Sequence, residues 1–80
     1  MKRDVYYKYL INELEKIPEN TIFLVSDLFK GYIWKSIPLA DRIWLGSKFL
    51  NDVLKNEYHS VQVIDKTTSN KQQYKKININ

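Results

Sequence analysis

Ser36-Ile37-Pro38-Leu39-Ala40-Asp41-Arg42-Ile43-Trp44-Leu45-Gly46-Ser47-Lys48-Phe49-Leu50-Asn51-Asp52-Val53-Leu54-Lys55-Asn56 is the stretch whose reading decides the fold. It predicts the longest helix of the chain. Ser36 or Ile37 serves as the cap, and Pro38 suits the first turn, where its missing N–H has no intrahelical partner to lose. Leu39, Ile43, Gly46, Leu50, Val53 and Leu54 recur at the spacing of one helical face, which marks that face as the inner one. Asp41, Lys48, Asn51, Asp52 and Lys55 fall mainly on the other side. Gly46 in mid-helix costs about 1 kcal/mol relative to alanine. The ordinary reason for such a glycine is close approach of another helix or strand; a ligand reaching the backbone is the functional one.

Upstream, Tyr7, Leu10, Ile11 and Leu14 stand at i, i+3, i+4, i+7 and predict a helix from Asp4 to about Lys16. Pro18 ends it by pushing the preceding residue out of the helical region, and Glu19-Asn20 makes the turn. Thr21-Ile22-Phe23 is β-branched and aromatic, a short strand that needs a partner elsewhere. A short helix follows from about Val25 to Lys30. Ser26 and Asp27 supply its cap chemistry, Leu28 and Phe29 are anchors, and Gly31 is the expected stop. Tyr32 to Lys35 reads equally as a loop or as a further helical turn. Downstream, Ser60 to Ile64 and Gln72 to Ile77 pair as a β-hairpin around the polar turn Asp65–Lys71.

The order is helix, short strand, short helix, long helix, hairpin. This predicts an α+β winged helix-turn-helix in one domain over residues 1–80, with the short strand pairing at the hairpin's edge and residues 78–80 frayed. A domain of this size buries only about 60% of its unfolded surface, so the 14% aromatic content has to fill a tight core.

Composition narrows function. There is no cysteine, hence neither a disulfide framework nor a cysteine-based zinc site. His59 is the only histidine and has no cluster of acids at ligand spacing, so no metal and no acid–base role is assigned. There is no glycine-rich phosphate loop and no nucleophile elbow. The expectation is a protein that is not an enzyme, with no cofactor and no small-molecule substrate. No apolar run approaches the roughly 18 residues of a membrane span, and no apolar segment follows the basic Lys2-Arg3. A soluble cytoplasmic protein is expected, with no membrane partner.

Net charge is +4, and its distribution is uneven. Residues 1–40 carry six Lys/Arg against five acids, residues 41–60 three against three, and residues 61–80 four lysines against Asp65. The positive field therefore lies on the hairpin, where Lys66, Lys71, Lys75 and Lys76 are placed to neutralise phosphates. Tyr74 stands beside two of them as an aromatic for a base. Tyr32, Trp34 and Trp44 are further candidate stacking platforms, although most aromatics of so small a domain belong to its core. Arg42 either takes a phosphate or joins an ion pair with Asp41 or an aromatic stack.

Ser26-Asp27-Leu28-Phe29, then Trp34, then Arg42-Ile43-Trp44-Leu45-Gly46-Ser47-Lys48-Phe49, with Tyr74-Lys75-Lys76 later, resembles a small family of uncharacterised domains. Its members occur in staphylococcal cassette elements, phages and related Gram-positive genomes. The family pattern is Asp-Leu-Phe, a Trp, then Arg-x-x-Leu-Gly-x-x-Phe, and the likeness covers roughly residues 21–77. The resemblance implies a winged helix-turn-helix and, for cassette-encoded members, binding of single-stranded DNA in replication or transfer. One departure matters: the family often carries a basic residue directly after Leu-Gly, and here that position is Ser47, with Lys48 one place on.

The expected function is thus binding of single-stranded DNA through Lys48, Lys55, Lys66, Lys71, Tyr74, Lys75 and Lys76, with Tyr32, Trp34, Arg42 and Trp44 as stacking or pocket residues. Replication proteins, or further copies of the chain on the DNA, are the accompanying partners. A sequence-specific duplex regulator with Asn51 and Lys48 as readers is the alternative. The long helix argues against it, because Ile37–Asn56 carries only +1 and no run of Arg, Asn and Gln for base edges. A protein-interaction module docking through exposed aromatics is the reading from a different class.

Overall fold

Leu10 and Leu14 are buried while Tyr7 and Ile11 are half-buried, so the expected stripe of the first helix, α1 (Lys2–Leu14), faces inward. The computed structural model describes residues 2–77; the expected fraying of residues 78–80 lies outside them. The chain turns at Asn20, whose φ of 70° is the left-handed conformation that asparagine tolerates. It then enters a two-residue strand, β1 (Ile22–Phe23).

A single 3₁₀ turn follows over Val25–Leu28, fixed where the Asp27 carboxylate accepts the Leu24 N–H at 2.9 Å. Gly31 does not stop a helix; it starts one, α2 (Gly31–Ser36). The break falls before it, because Phe29 and Lys30 are extended as buried Leu28 and Phe29 anchor the chain to the core. Ser36 consequently closes α2, its Oγ donating to the Ile33 carbonyl at 2.7 Å, and does not cap the next helix. Ile37 precedes a proline and is extended, at φ −78° and ψ 129°, so the two helices meet at a sharp corner. Pro38 is the N-cap of the long helix α3 (Leu39–Leu54), one position earlier than the first-turn site expected for it. Asn56, with φ 63°, ends the turn after α3.

β2 (Val61–Lys66) and β3 (Gln72–Lys76) form the hairpin, and Asn70 supplies its left-handed tip at φ 64°. The sheet order is β1-β3-β2, antiparallel throughout, with Ile22 opposite Lys75 and Phe23 opposite Tyr74. The short strand therefore finds its partner on the hairpin. The arrangement is α+β and compatible with a winged helix. No helix among the described residues is long and apolar enough to cross a membrane.

The core is a ring cluster between sheet and helices. Tyr74 packs edge-on against Phe49 at 4.8 Å between centroids and stacks on Phe23 at 5.8 Å, while Tyr58 covers the far side of Phe49 at 5.8 Å. Of the expected inner face of α3, Val53 alone is buried, and the rest of that face turns outward. The buried residues are Leu45, Phe49 and Val53, preceded by Ile37 at the corner. Leu39, Ile43 and Leu54 are exposed, at 63%, 61% and 64%, and Leu50 is half-buried. α3 carries two apolar stripes at helical spacing. Spacing alone does not choose between them; the bulk of Phe49, which fills the space against Tyr74, does.

Candidate functional site

The second stripe lines a groove of about 490 Å³ between α3 and the hairpin. Leu39, Ile43, Gly46, Ser47 and Leu50 form its helix wall. Lys66, Asn70, Lys71 and Gln72 form the opposite wall, and Trp34 and Leu24 border it. The exposed apolar surface of the groove therefore lies under a rim of exposed lysines.

Gly46 belongs to this groove and not to a packed contact. A Cβ built on it meets nothing within 4 Å, which overturns the close-approach explanation. The cost of a mid-helix glycine, about 1 kcal/mol, is thus left without a packing reason. Its effect is to leave the groove open down to the α3 backbone.

Lys66 reaches the groove through an irregularity in β2. Val61, Val63 and Lys66 lie opposite Lys76, Tyr74 and Gln72, so three steps on β2 match two steps on β3 between Val63 and Lys66. Strict alternation would put Lys66 on the sheet face opposite Val61 and Val63; one extra residue returns it to theirs. That face carries Tyr74 and the groove. Gln72 secures the bulge, its amide donating to the Ile64 carbonyl. Sequence reading missed this device, since a bulge shows only when both strands are in register.

Arg42 also lines the groove. Its Nε donates to the Ile37 carbonyl at 3.0 Å, and its guanidinium lies over the Trp34 ring at 5.9 Å. The ion pair with neighbouring Asp41 does not form: Asp41 pairs with Arg3 at 2.6 Å. Among the described residues Arg42, Lys66 and Lys71 have no carboxylate partner.

The other expected site residues scatter. Tyr74 is 1% exposed in the core, with burial pushing its hydroxyl pKa up to about 12, so it offers no stacking face. Lys76 points beneath the sheet and donates to the Leu14 and Ile17 carbonyls at 2.9 and 3.0 Å, satisfying the C-terminal end of α1. Lys75, by alternation, lies on the opposite sheet face, across from Ile22 and Gln62. The four hairpin lysines thus do not share one face. Lys48 sits on the far side of α3, 3.3 Å from Asp52 and over the Tyr7 ring at 4.9 Å. Lys55 is exposed just beyond the last turn of α3.

Tyr32 is 72% exposed on α2. Trp34 leans on Phe29 at 5.4 Å, and Trp44 packs edge-on against Tyr7 at 6.2 Å beneath Arg3. These three aromatics share no ring contact and make no common patch. Of the expected set Trp34, Arg42, Lys66 and Lys71 meet in the groove, whose lining also includes the buried Tyr74; Leu39 and Ile43 beside them, expected in the core, are exposed.

The seam between α1 and α3 is closed in the opposite sense. The Tyr7 hydroxyl donates to Asp52 and contacts the Tyr58 hydroxyl at 3.1 Å. Partial burial works against the Asp52 carboxylate, but the hydrogen bonds from Tyr7 and Lys48 and the charges of Lys48 and Lys55 outweigh it and hold its pKa below the usual value. Burial, then the hydrogen bonds to Asp52 and Tyr58, push the Tyr7 hydroxyl far upward, so it stays a donor.

No curated protein and no solved structure matches this chain. One family model does, over residues 8–76, which spans α1 from its middle to the end of β3. The chain belongs to the family described as "Domain of unknown function (DUF1413)".

Proposed function

We propose that this protein is a winged helix-turn-helix module that binds single-stranded DNA in the groove between α3 and the hairpin, its wing. The observation that carries the reading is the composition of that groove: an apolar wall of Leu39, Ile43 and Leu50, opened to the backbone at Gly46, facing Lys66 and Lys71. An unpaired strand offers both complements, base faces for the apolar wall and phosphates for the lysines. A duplex hides its base faces in the stack and leaves mainly thymine methyls to set against Leu39 and Ile43. Of the duplex regulator's two readers, Lys48 is engaged by Asp52, which counts against that alternative, while Asn51 stays exposed. The likeness to domains of cassette elements and phages supports DNA in replication or transfer as the setting. No catalysis, metal or cofactor enters this reading.

A protein-docking role is the second reading, favoured by the 63% and 61% exposure of Leu39 and Ile43, which would suit an apolar side chain of a partner. Titrations of matched single- and double-stranded oligonucleotides at two salt concentrations decide between them. Tighter, sequence-tolerant binding to single strands that weakens steeply with salt supports the proposal. A preferred duplex site, or no salt-sensitive binding to DNA of either form, overturns it.

A further inference from the structure

Within that reading, and resting on it, we propose that Arg42 is a base-reading residue of the groove whose terminal nitrogens take the O6 and N7 acceptors of a guanine. The first observation is that no ion pair among the described residues neutralises its charge. Asp41 is taken by Arg3, and no carboxylate among the described residues approaches Arg42. Nor does the helix gain from it. Arg42 is the fourth residue of α3, close to the positive end of the helix dipole, where a cation is disfavoured.

The second observation is that the side chain is nevertheless held in place. Nε is committed to the Ile37 carbonyl and the guanidinium plane is steadied by Trp34. The two terminal nitrogens make no hydrogen bond among the described residues. What remains is a pre-positioned two-pronged donor at the edge of the groove.

The third observation is its neighbourhood. Phosphates are met by Lys66 and Lys71 on the hairpin wall, whereas Arg42 shares its wall with Leu39, Ile43 and Trp34. A strand whose backbone follows the lysines turns its bases toward that wall. A base packed on these apolar side chains presents its edge to the fork. Guanine offers two adjacent acceptors there, O6 and N7, as an unpaired cytosine does with O2 and N3; adenine sets a donor beside its acceptor, and neither thymine carbonyl has a second acceptor beside it.

Fluorescence anisotropy with an oligothymidylate and the same strand carrying one central guanine tests this directly. The guanine strand is expected to bind about five- to a hundredfold tighter. Replacing that guanine by 7-deazaguanine, which lacks the N7 acceptor and leaves the protein untouched, should remove most of the gain. Arg42→Met, which keeps an aliphatic stem without the charge, should weaken both strands, and the guanine strand more, until the two bind alike. Equal affinity for both strands overturns the assignment, as does a preference that persists with 7-deazaguanine or in Arg42→Met. Equal weakening of both strands by Arg42→Met, with no guanine preference in the wild type, makes Arg42 a phosphate contact and overturns it as well. Failure of the wild type to bind either strand removes the single-strand reading itself.

Discussion

The two long sides of α3 handle charge in opposite ways. Toward α1 the charges of the helix body are partnered: Asp41 meets Arg3, Lys48 meets Asp52, and Asp52 also accepts the Tyr7 hydroxyl. Toward the hairpin, Arg42, Lys66 and Lys71 have no carboxylate partner among the described residues and stand beside side chains that a solvent-facing helix would not ordinarily expose. The two sides hold similar residue types, cations beside aromatic and apolar groups. Partnering is what separates them: the first side is a closed structural seam, and the second is a surface that lacks its complement.

The comparison breaks most easily where the charges are open. Lys66→Glu with Lys71→Glu should weaken single-strand binding on the order of a hundredfold at low salt and flatten its salt dependence, while the thermal midpoint stays nearly unchanged. Lys48→Gln should do the reverse, leaving affinity intact and lowering the midpoint. A large affinity loss for Lys48→Gln would place nucleic acid on the seam.

Next in size is Tyr7→Phe, which strips the seam of the donor to Asp52 and of the contact with Tyr58. The expected loss is about 1–3 kcal/mol in chemical denaturation, with no change in DNA affinity. Gly46→Ala probes the groove in the other sense. It should stabilise the fold by up to about 1 kcal/mol, since the new methyl meets nothing, yet weaken binding by occupying the open floor. A Gly46→Ala protein that binds as well as the wild type would detach this glycine from the site.

The smallest effect is the acid limb of stability. Asp52 has a folded pKa below its ordinary value of 3.8, so its contribution is fully present above that value and is lost as pH falls through the lower, folded one. Asp52→Asn should therefore flatten the decline of stability in that acid window, measured by denaturation at a series of pH values.

Much of the fold was legible in the residues. Pro18, Pro38, Asn20, Asn56 and Asn70 mark where the chain turns, and the change from helical to alternating period marks where the hairpin begins. Local chemistry fixes those features. The orientation of α3 was not legible, because Leu39–Ile43–Leu50 and Leu45–Phe49–Val53 satisfy the same spacing and only the shape of the opposing sheet separates them. The site inherited that ambiguity: residues assigned inward became the groove wall. Charge pointed correctly to the hairpin as the basic region but did not sort its lysines, since strand alternation sends Lys75 and Lys76 to opposite faces and the bulge brings Lys66 to the groove. Tyr74 looked like a site aromatic for the same reason, its neighbours' charge concealing a core position.

Amide chemical-shift mapping of the isotopically labelled protein, titrated with an unlabelled single strand, tests the central claim most directly. Shifts concentrated at Ile43, Gly46, Ser47, Asn70 and Lys71, with Tyr7, Lys48 and Asp52 unmoved, are the predicted result. Shifts confined to the α1–α3 seam, or none at a strand concentration that saturates binding by anisotropy, would contradict it.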